Sequence, residues 1–313
     1  MTSQPVTGLP ASGAAVTGRS VTGRTVTGRS RRTGRRHRAE RASLTKRVLT
    51  QVVLIAYSAF AVGPILITLF ASLKSEPSFF SSPASFPTHF YFANYSQAWA
   101  QGDLLPAFLN SVLVTTVSVI VSGILGAMAA YAVVRLRSRR TGLLQSYFLS
   151  GLVVPGVVIL IPIFILMHEL GLVGTIGSII LPYCALTLPL SFLIFVNFFR
   201  TVPFEIAEAA YLDGCSHFRT FWSIEMPLVL PAIATVAILN GVFVWNDFLL
   251  PLVLETKSSL YTLPVAIISF FGTYSTAYGL VFASVILASA PIILLYIVLN
   301  RLFVEGITAG AIR

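Results

Sequence analysis

Charge is scarce in this sequence. Asp, Glu, Lys and Arg make up 10% of its 313 residues, against roughly 25% in ordinary globular proteins. So little solvated charge cannot clothe a water-soluble globule, and a hydrophobic content of 56% excludes disorder for most of the length. Lysine is scarcer still: Lys46, Lys74 and Lys257 are the only three, and none follows a glycine. The Gly-Lys-Ser/Thr end of a phosphate-binding loop is therefore missing. The four histidines (His37, His89, His168, His217) are scattered and form no His-Glu-x-x-His pair, so a zinc hydrolase is unsupported. Gly-x-Ser-x-Gly is missing too. The two cysteines, Cys184 and Cys215, form neither a metal-spaced cluster nor a disulfide framework. The expectation is a chain with no catalytic residue, no metal site and no cofactor of its own.

Long apolar runs are what the sequence does have. A bilayer core of about 30 Å needs roughly 20 helical residues. Six stretches qualify: 48–72, 110–134, 146–167, 174–199, 229–253 and 278–302. The expected fold class is all-α, a polytopic membrane protein with six transmembrane helices in residues 48–313. Pro64, Pro155, Pro162, Pro182, Pro189 and Pro291 fall inside these stretches, where proline removes a backbone donor and tends to kink a helix. Nineteen of the 21 basic residues lie on one side of the predicted topology. Only Lys74 and Lys257 lie on the other. Excess Lys and Arg mark the cytoplasmic side, so both termini and the loop 200–228 are expected in the cytoplasm. The loops 73–109, 168–173 and 254–277 are expected outside.

The first 47 residues form a different region. Val16-Thr17-Gly18-Arg19 recurs at Val21 and at Val26, and eleven of the basic residues precede residue 48. Apolar residues are too sparse there to bury a core, so residues 1–47 read as a disordered, basic cytoplasmic tail. Its charge reads either as an attraction to anionic membrane lipid or as a solvated tail that only fixes topology. The tail has almost no aromatics to stack bases, so no nucleic acid partner is expected.

The loop 200–228 carries the most information. Pro203 can open a helix. Phe204, Ala207, Glu208 and Tyr211 then recur at spacings that share one helix face. Gly214 supplies a left-handed stop, and Ser216 can cap a second short helix over 217–226 that Pro227 ends. Glu208-Ala209-Ala210, followed at fixed distances by Gly214, Ile224 and Pro227, resembles the EAA loop of ABC importer permeases. Met226 stands where that family usually has Leu, a nearly volume-conserving change. Asn110-Ser111, Ala129-Ala130-Tyr131-Ala132, Trp245-Asn246-Asp247-Phe248 and the stretch from Phe303 to Ala311 resemble the carbohydrate-uptake branch of the same permeases, and the smaller membrane subunit of its maltose type. The tail lies outside this resemblance.

The resemblance implies a type I ABC importer permease fold and a chain without chemistry of its own. Its cytoplasmic loop would dock in a groove of an ATPase subunit through Phe204, Ala207, Glu208, Ala209, Ala210, Tyr211, Asp213, Gly214, Ile224 and Pro227. The implied partners are a second six-span permease subunit, two ATPase subunits that bind the ATP, and an extracytoplasmic solute-binding protein, all at the plasma membrane of a bacterium. A sugar, an oligosaccharide or glycoside, is the implied cargo. Asp247 is the one acid expected well inside a span, where a charge costs roughly 2.5–3.5 kcal/mol on insertion scales. It reads either as part of a translocation path with Trp245 and Asn246 or as one end of a helix-to-helix hydrogen bond. The rival class is an autonomous secondary transporter or channel for a small polar solute. That would need ion-coupling charges inside the spans, and Asp247 alone qualifies.

Overall fold

In the computed structural model, which describes residues 31–136, 140–271 and 277–311, every element is helical. Helix α1 runs from Arg31 to Ser72 and contains Pro64. Residues 31–47 thus continue this helix instead of belonging to a structureless tail. Their Ala, Arg, Leu and Lys residues are good helix formers, and extending a helix that the apolar segment has already nucleated needs no new nucleus. The repeats of residues 1–30 lie outside the described residues. As far as Val62 the chain forms a unit of its own, in which Val53, Ile55, Tyr57 and Phe60 are exposed.

From Gly63 onward the chain is one compact unit. Short helices α2 (Glu76–Ser81) and α3 (Ala93–Gln101) lead into α4 (Leu104–Arg135). After α5 (Thr141–Ser150) and α6 (Leu160–Glu169) comes α7 (Gly177–Phe199). The loop region holds α8 (Phe204–Leu212), α9 (His217–Thr220), a π-helical turn (Phe221–Glu225) and α10 (Met226–Leu228). Then follow α11 (Leu230–Asn246), α12 (Leu249–Leu254), α13 (Leu263–Ile267) and α14 (Tyr278–Ala311).

Helices α4 and α7 make the most extensive helix pair. The reason is legible in α4: Ser118, Ser122, Gly126 and Ala130 recur every four residues and are all buried. Small residues at that spacing form a flat stripe along which two membrane helices approach closely. Gly126 marks the tightest point, where an added Cβ would stand 2.7 Å from Ser191 Cβ and 2.9 Å from the Phe192 backbone nitrogen. Helix α11 joins through buried Asn240, whose Nδ2 donates to Ser191 Oγ at 2.8 Å and to Thr187 O at 3.3 Å. A polar side chain in hydrocarbon is tolerated when neighbouring helices satisfy it, as these do.

Among the described residues, four helices are long and apolar enough to cross a membrane: Arg47–Ser72, Leu104–Arg135, Gly177–Phe199 and Tyr278–Leu299. A fifth counts if His217–Leu228 and Leu230–Asn246, bent by 78° at Val229, make one span. The stretch 146–167 is instead divided between α5 and α6. Gly151 and Gly156 weaken the intervening helix, and Pro155 both lacks a donor and pushes Val154 out of the helical region. Pro162 sits in the first turn of α6, where its missing donor costs nothing. Pro182 and Pro189 lie within α7 and Pro291 within α14.

Candidate functional site

The loop between α7 and α11 folds onto the end of α4. Helix α8 buries Ala207 and Ala210 and leaves Glu205, Glu208, Ala209, Leu212 and Asp213 exposed, with Phe204 and Tyr211 half-buried between. The expected single face is thus divided. Ala207 and Ala210 point inward, where their small size lets the helix sit close, while Glu208 points out because a carboxylate has no buried partner on that side. Leu212 is 89% exposed, an apolar tip left without cover among the described residues.

Gly214 ends α8 as its position requires. Its φ is +80°, in the left-handed region that favours glycine. The Cys215 amide donates to Ala210 O at 2.9 Å and the Gly214 amide to Tyr211 O at 3.0 Å, the paired bonds of a Schellman termination. Ser216 caps the next helix by accepting from the Arg219 amide at 3.3 Å. That helix differs from the expected single run over 217–226. It begins as α9, widens into the π-helical turn and closes as α10, with Pro227 in the first turn of α10 and the bend at Val229. Proline is accommodated in a first turn, so the chain turns after it and not at it. Phe221 is buried, Ile224 is half-buried, and Phe218 and Trp222 face outward.

Beneath the loop lies a cluster that sequence reasoning did not single out. Arg135, the last residue of α4, donates from Nε to Glu225 Oε1 at 2.7 Å, and the two side chains are 3% and 0% exposed. The same guanidinium donates from Nη2 to Phe199 O at 3.2 Å and Val202 O at 3.0 Å, and stacks over Phe204 with 5.7 Å to the ring centroid. One side chain therefore joins the ends of α4 and α7, the base of α8 and the π-helical turn. Tyr131, one turn earlier, shares a 2.8 Å hydrogen bond with Tyr211 Oη and donates to His217 O at 3.3 Å. The sequence offered one signal: Glu225 is an acid in an otherwise apolar aromatic run, and Arg135 is the arginine nearest the end of its span. Their 90-residue separation hid the pairing.

The three residues of the second candidate group part company. Trp245 is buried against α14, donating from Nε1 to Ala288 O at 2.9 Å and meeting Phe108 edge-on at 6.0 Å. Asn246 is exposed and bonds to Val242 O of its own helix. Asp247 sits at the break between α11 and α12, not inside a continuous helix, with ψ at 134°. Its Oδ2 accepts from Tyr183 Oη of α7 at 2.8 Å and its Oδ1 from the Leu249 amide at 3.2 Å. The helix-to-helix hydrogen bond is therefore present. Asp247 also borders a cavity of about 230 Å³ walled by Val157, Leu160, Ile163 and Phe243.

At the other end of α4, Asn110 Nδ2 donates to Ser259 O at 2.9 Å and to Tyr261 O at 3.1 Å, while Ser111 Oγ accepts from the Leu263 amide at 2.8 Å. These residues clip the segment 255–263 onto α4. Glu255, buried nearby, receives the Thr262 amide at 3.2 Å on each carboxylate oxygen. Burial pushes its carboxyl up to about 7, against the opposing effect of that amide bond.

The chain is similar to proteins whose role is known. Over 267 residues it is 33% identical to the diacetylchitobiose uptake system permease protein NgcG of Streptomyces coelicolor, covering 85% of this chain and 88% of the relative. It is 34% identical to the trehalose transport system permease protein SugB of Mycobacterium tuberculosis (81% and 93% covered). It is 31% identical to the melibiose/raffinose/stachyose import permease protein MelC of Bacillus subtilis (80% and 91%). Its fold matches a chain in the crystal structure of a bacterial ABC transporter that imports the acidic polysaccharide alginate, with a TM-score of 0.74 over 84% of this chain and 98% of that one, at 21% identity. Residues 122–308, which include the loop, the Arg135–Glu225 pair and the α11–α12 break, match the family of binding-protein-dependent transport system inner membrane components, and with the helical fold and the shared length they show that this chain belongs to that family, the permeases of ABC importers.

Proposed function

We infer that this chain is one of two permease subunits in an ATP-driven importer of a sugar, an oligosaccharide or glycoside, in a bacterial plasma membrane. The relatives named for diacetylchitobiose, trehalose, and melibiose, raffinose and stachyose support the cargo class. The observation that carries the reading is the outer surface of α8. Glu205, Glu208 and Asp213 surround the bare apolar tip of Leu212 on a helix whose opposite face is tied down. An acidic rim around an apolar centre fits a groove with basic edges on a separate ATPase subunit. In this reading Phe204, Ala207, Ala210 and Tyr211 seat the helix from within. Glu208, Ala209 and Asp213 meet the ATPase, Gly214 makes the turn between the two short helices, and Ile224 and Pro227 hold the second in register. The partners are a second six-span permease, two ATPase subunits that bind and hydrolyse the ATP, and an extracytoplasmic solute-binding protein. Six spans with both termini in the cytoplasm follow if α5 with α6, and α11 with α12, each complete one crossing. Asn246 and Asp247 face the sugar path; Trp245 braces that helix from behind.

The test is coupled uptake by the reconstituted complex. Glu208→Lys and Gly214→Pro are expected to lower sugar uptake at least tenfold while membrane insertion is unchanged. Normal uptake by both variants contradicts the reading. Sugar moving down its gradient through liposomes that hold this chain alone would instead support an autonomous transporter or channel.

A further inference from the structure

Arg135 is held by more bonds than any stability argument asks of it. An ion pair taken wholly out of water recovers at best what its desolvation costs, and a well-packed apolar pair of similar volume often does as well. What the ion pair supplies that apolar contacts do not is direction: bonds of fixed length that carry both push and pull. The bonds of Arg135 run to three carriers at once. They reach the π-helical turn through Glu225, the end of α7 through Phe199 O, and the approach to α8 through Val202 O. Glu225 adds a second feature. Its Oε1 is engaged while its Oε2, fully buried, has no hydrogen-bond partner, and the buried Thr220 Oγ1 at the start of the same turn has none either. Buried polar atoms are seldom left idle, and π-helical turns gather at functional sites. The carboxylate can therefore pivot from one oxygen to the other without releasing the guanidinium.

We propose that the Arg135–Glu225 pair is the strut through which displacement of α8 and the π-helical turn is passed to α4 and α7, with Glu225 exchanging carboxylate oxygens on Arg135 as the transporter changes state. The proposal rests on the importer reading given above and names positioning residues for it, since neither side chain is accessible to sugar or nucleotide. Because α4 packs along α7 over most of its length, a push at Arg135 reaches the middle of the bundle without a further hinge.

The experiment uses the complete transporter, with its permease partner, ATPase subunits and binding protein, in proteoliposomes. ATP hydrolysed per sugar imported is measured together with the amount of ATPase retained on the complex. In the double variant Arg135→Met with Glu225→Met, two apolar side chains replace the pair, which keeps the fold packed but removes the directional bonds. Expected are normal ATPase retention and at least a tenfold rise in ATP spent per sugar. Wild-type stoichiometry in that variant overturns the proposal, because a merely structural pair would be replaced without loss of coupling. Glu225→Gln is the milder second probe. It keeps the shape and one carbonyl oxygen for Arg135 but cannot exchange equivalent oxygens, so an increase of at least threefold with assembly intact is expected. Unchanged coupling there overturns the pivot even if the double variant fails to assemble. Running Glu208→Lys beside them separates the two readings. If Glu208→Lys uncouples and the Arg135 and Glu225 variants do not, the strut alone is wrong; if Glu208→Lys also transports normally, the importer reading fails first.

Discussion

The two ends of α4 solve the same problem in opposite ways. The helix has 32 residues, about 48 Å at 1.5 Å per residue; its Arg135 end holds a buried ion pair, and the segments that precede and are clipped onto its Leu104 end hold buried ionic groups of their own. At the Arg135 end, charge is set against charge, and the pair links segments far apart in sequence. At the Leu104 end, charge is set against neutral dipoles. Lys74 is 1% exposed and donates from Nζ to Ser82 O at 2.5 Å, Pro83 O at 3.2 Å and Ser85 Oγ at 3.1 Å. Glu255 accepts only the Thr262 amide among its described hydrogen bonds. Lys74 and Glu255 each bond within about a dozen residues of themselves, so each folds its own loop and transmits little beyond it. The arginine cluster fastens helices to one another, and movement at one must appear at the others.

The sharpest way to break this comparison is to remove one charge from the linked end. Arg135→Met with Glu225 intact strands a buried carboxylate and is expected to cost about 3–5 kcal/mol, read as a fall in the thermal unfolding midpoint of the purified protein in detergent. Adding Glu225→Met should return most of that loss. A single variant as stable as the wild type would show that water reaches Glu225 and that the pair is not sealed.

At the other end the equivalent change should be smaller and local. Lys74→Met leaves two carbonyls and a hydroxyl short of a donor, at about 2–3 kcal/mol. The cost should fall on the loop 73–92 and not on the bundle. Hydrogen exchange is expected to rise across that loop while the α4 and α7 amides, whose packing involves the Ser118–Ala130 stripe, stay protected. Equal loss of protection in both would erase the distinction between the two ends.

Much of this was legible in the sequence, and the failures have a common cause. The helical class, the long apolar helices, the Gly214 stop and the Ser216 cap follow from local rules that involve a handful of neighbouring residues. The same local rules missed the division of residues 146–167, because hydropathy averages over Gly151, Pro155 and Gly156 and does not see the backbone they free. They grouped Ala207 with Glu208, of which the first is buried and the second exposed, because helical spacing gives a face but not which neighbour covers it. The Arg135–Glu225 pair and the identity of Tyr183 as the partner of Asp247 escaped for a further reason. Each joins residues 64 or more positions apart, and only packed helices bring them together. Asn110 and Ser111 stood out from the residues alone, but as marks of resemblance; their work, clipping segment 255–263, needed the fold.

The smallest expected effect separates the two ends by pH. The Glu255 carboxyl is raised from 4.5 to about 7, chiefly by burial. An acid whose folded value lies above its unfolded one stabilises the folded form fully below the unfolded value, and that contribution is lost as pH rises through the folded one. Closure of the segment 255–263 should therefore be firmest below about pH 4.5 and weaken as pH rises to about 7. The readout is protection of the Thr262 and Leu263 amides, corrected for intrinsic exchange, compared near pH 5 and near pH 8. In Glu255→Gln that difference should vanish. At the arginine end burial likewise raises the Glu225 carboxyl, against the opposing effect of Arg135, so the control there is Glu225→Gln, in which the α4 C-terminus should show no step because Arg135 keeps its charge throughout. A pH-dependent step of the same size that persists at the α4 C-terminus of Glu225→Gln would mean that the two ends are coupled through α4, and that the linked end passes its state to the local one.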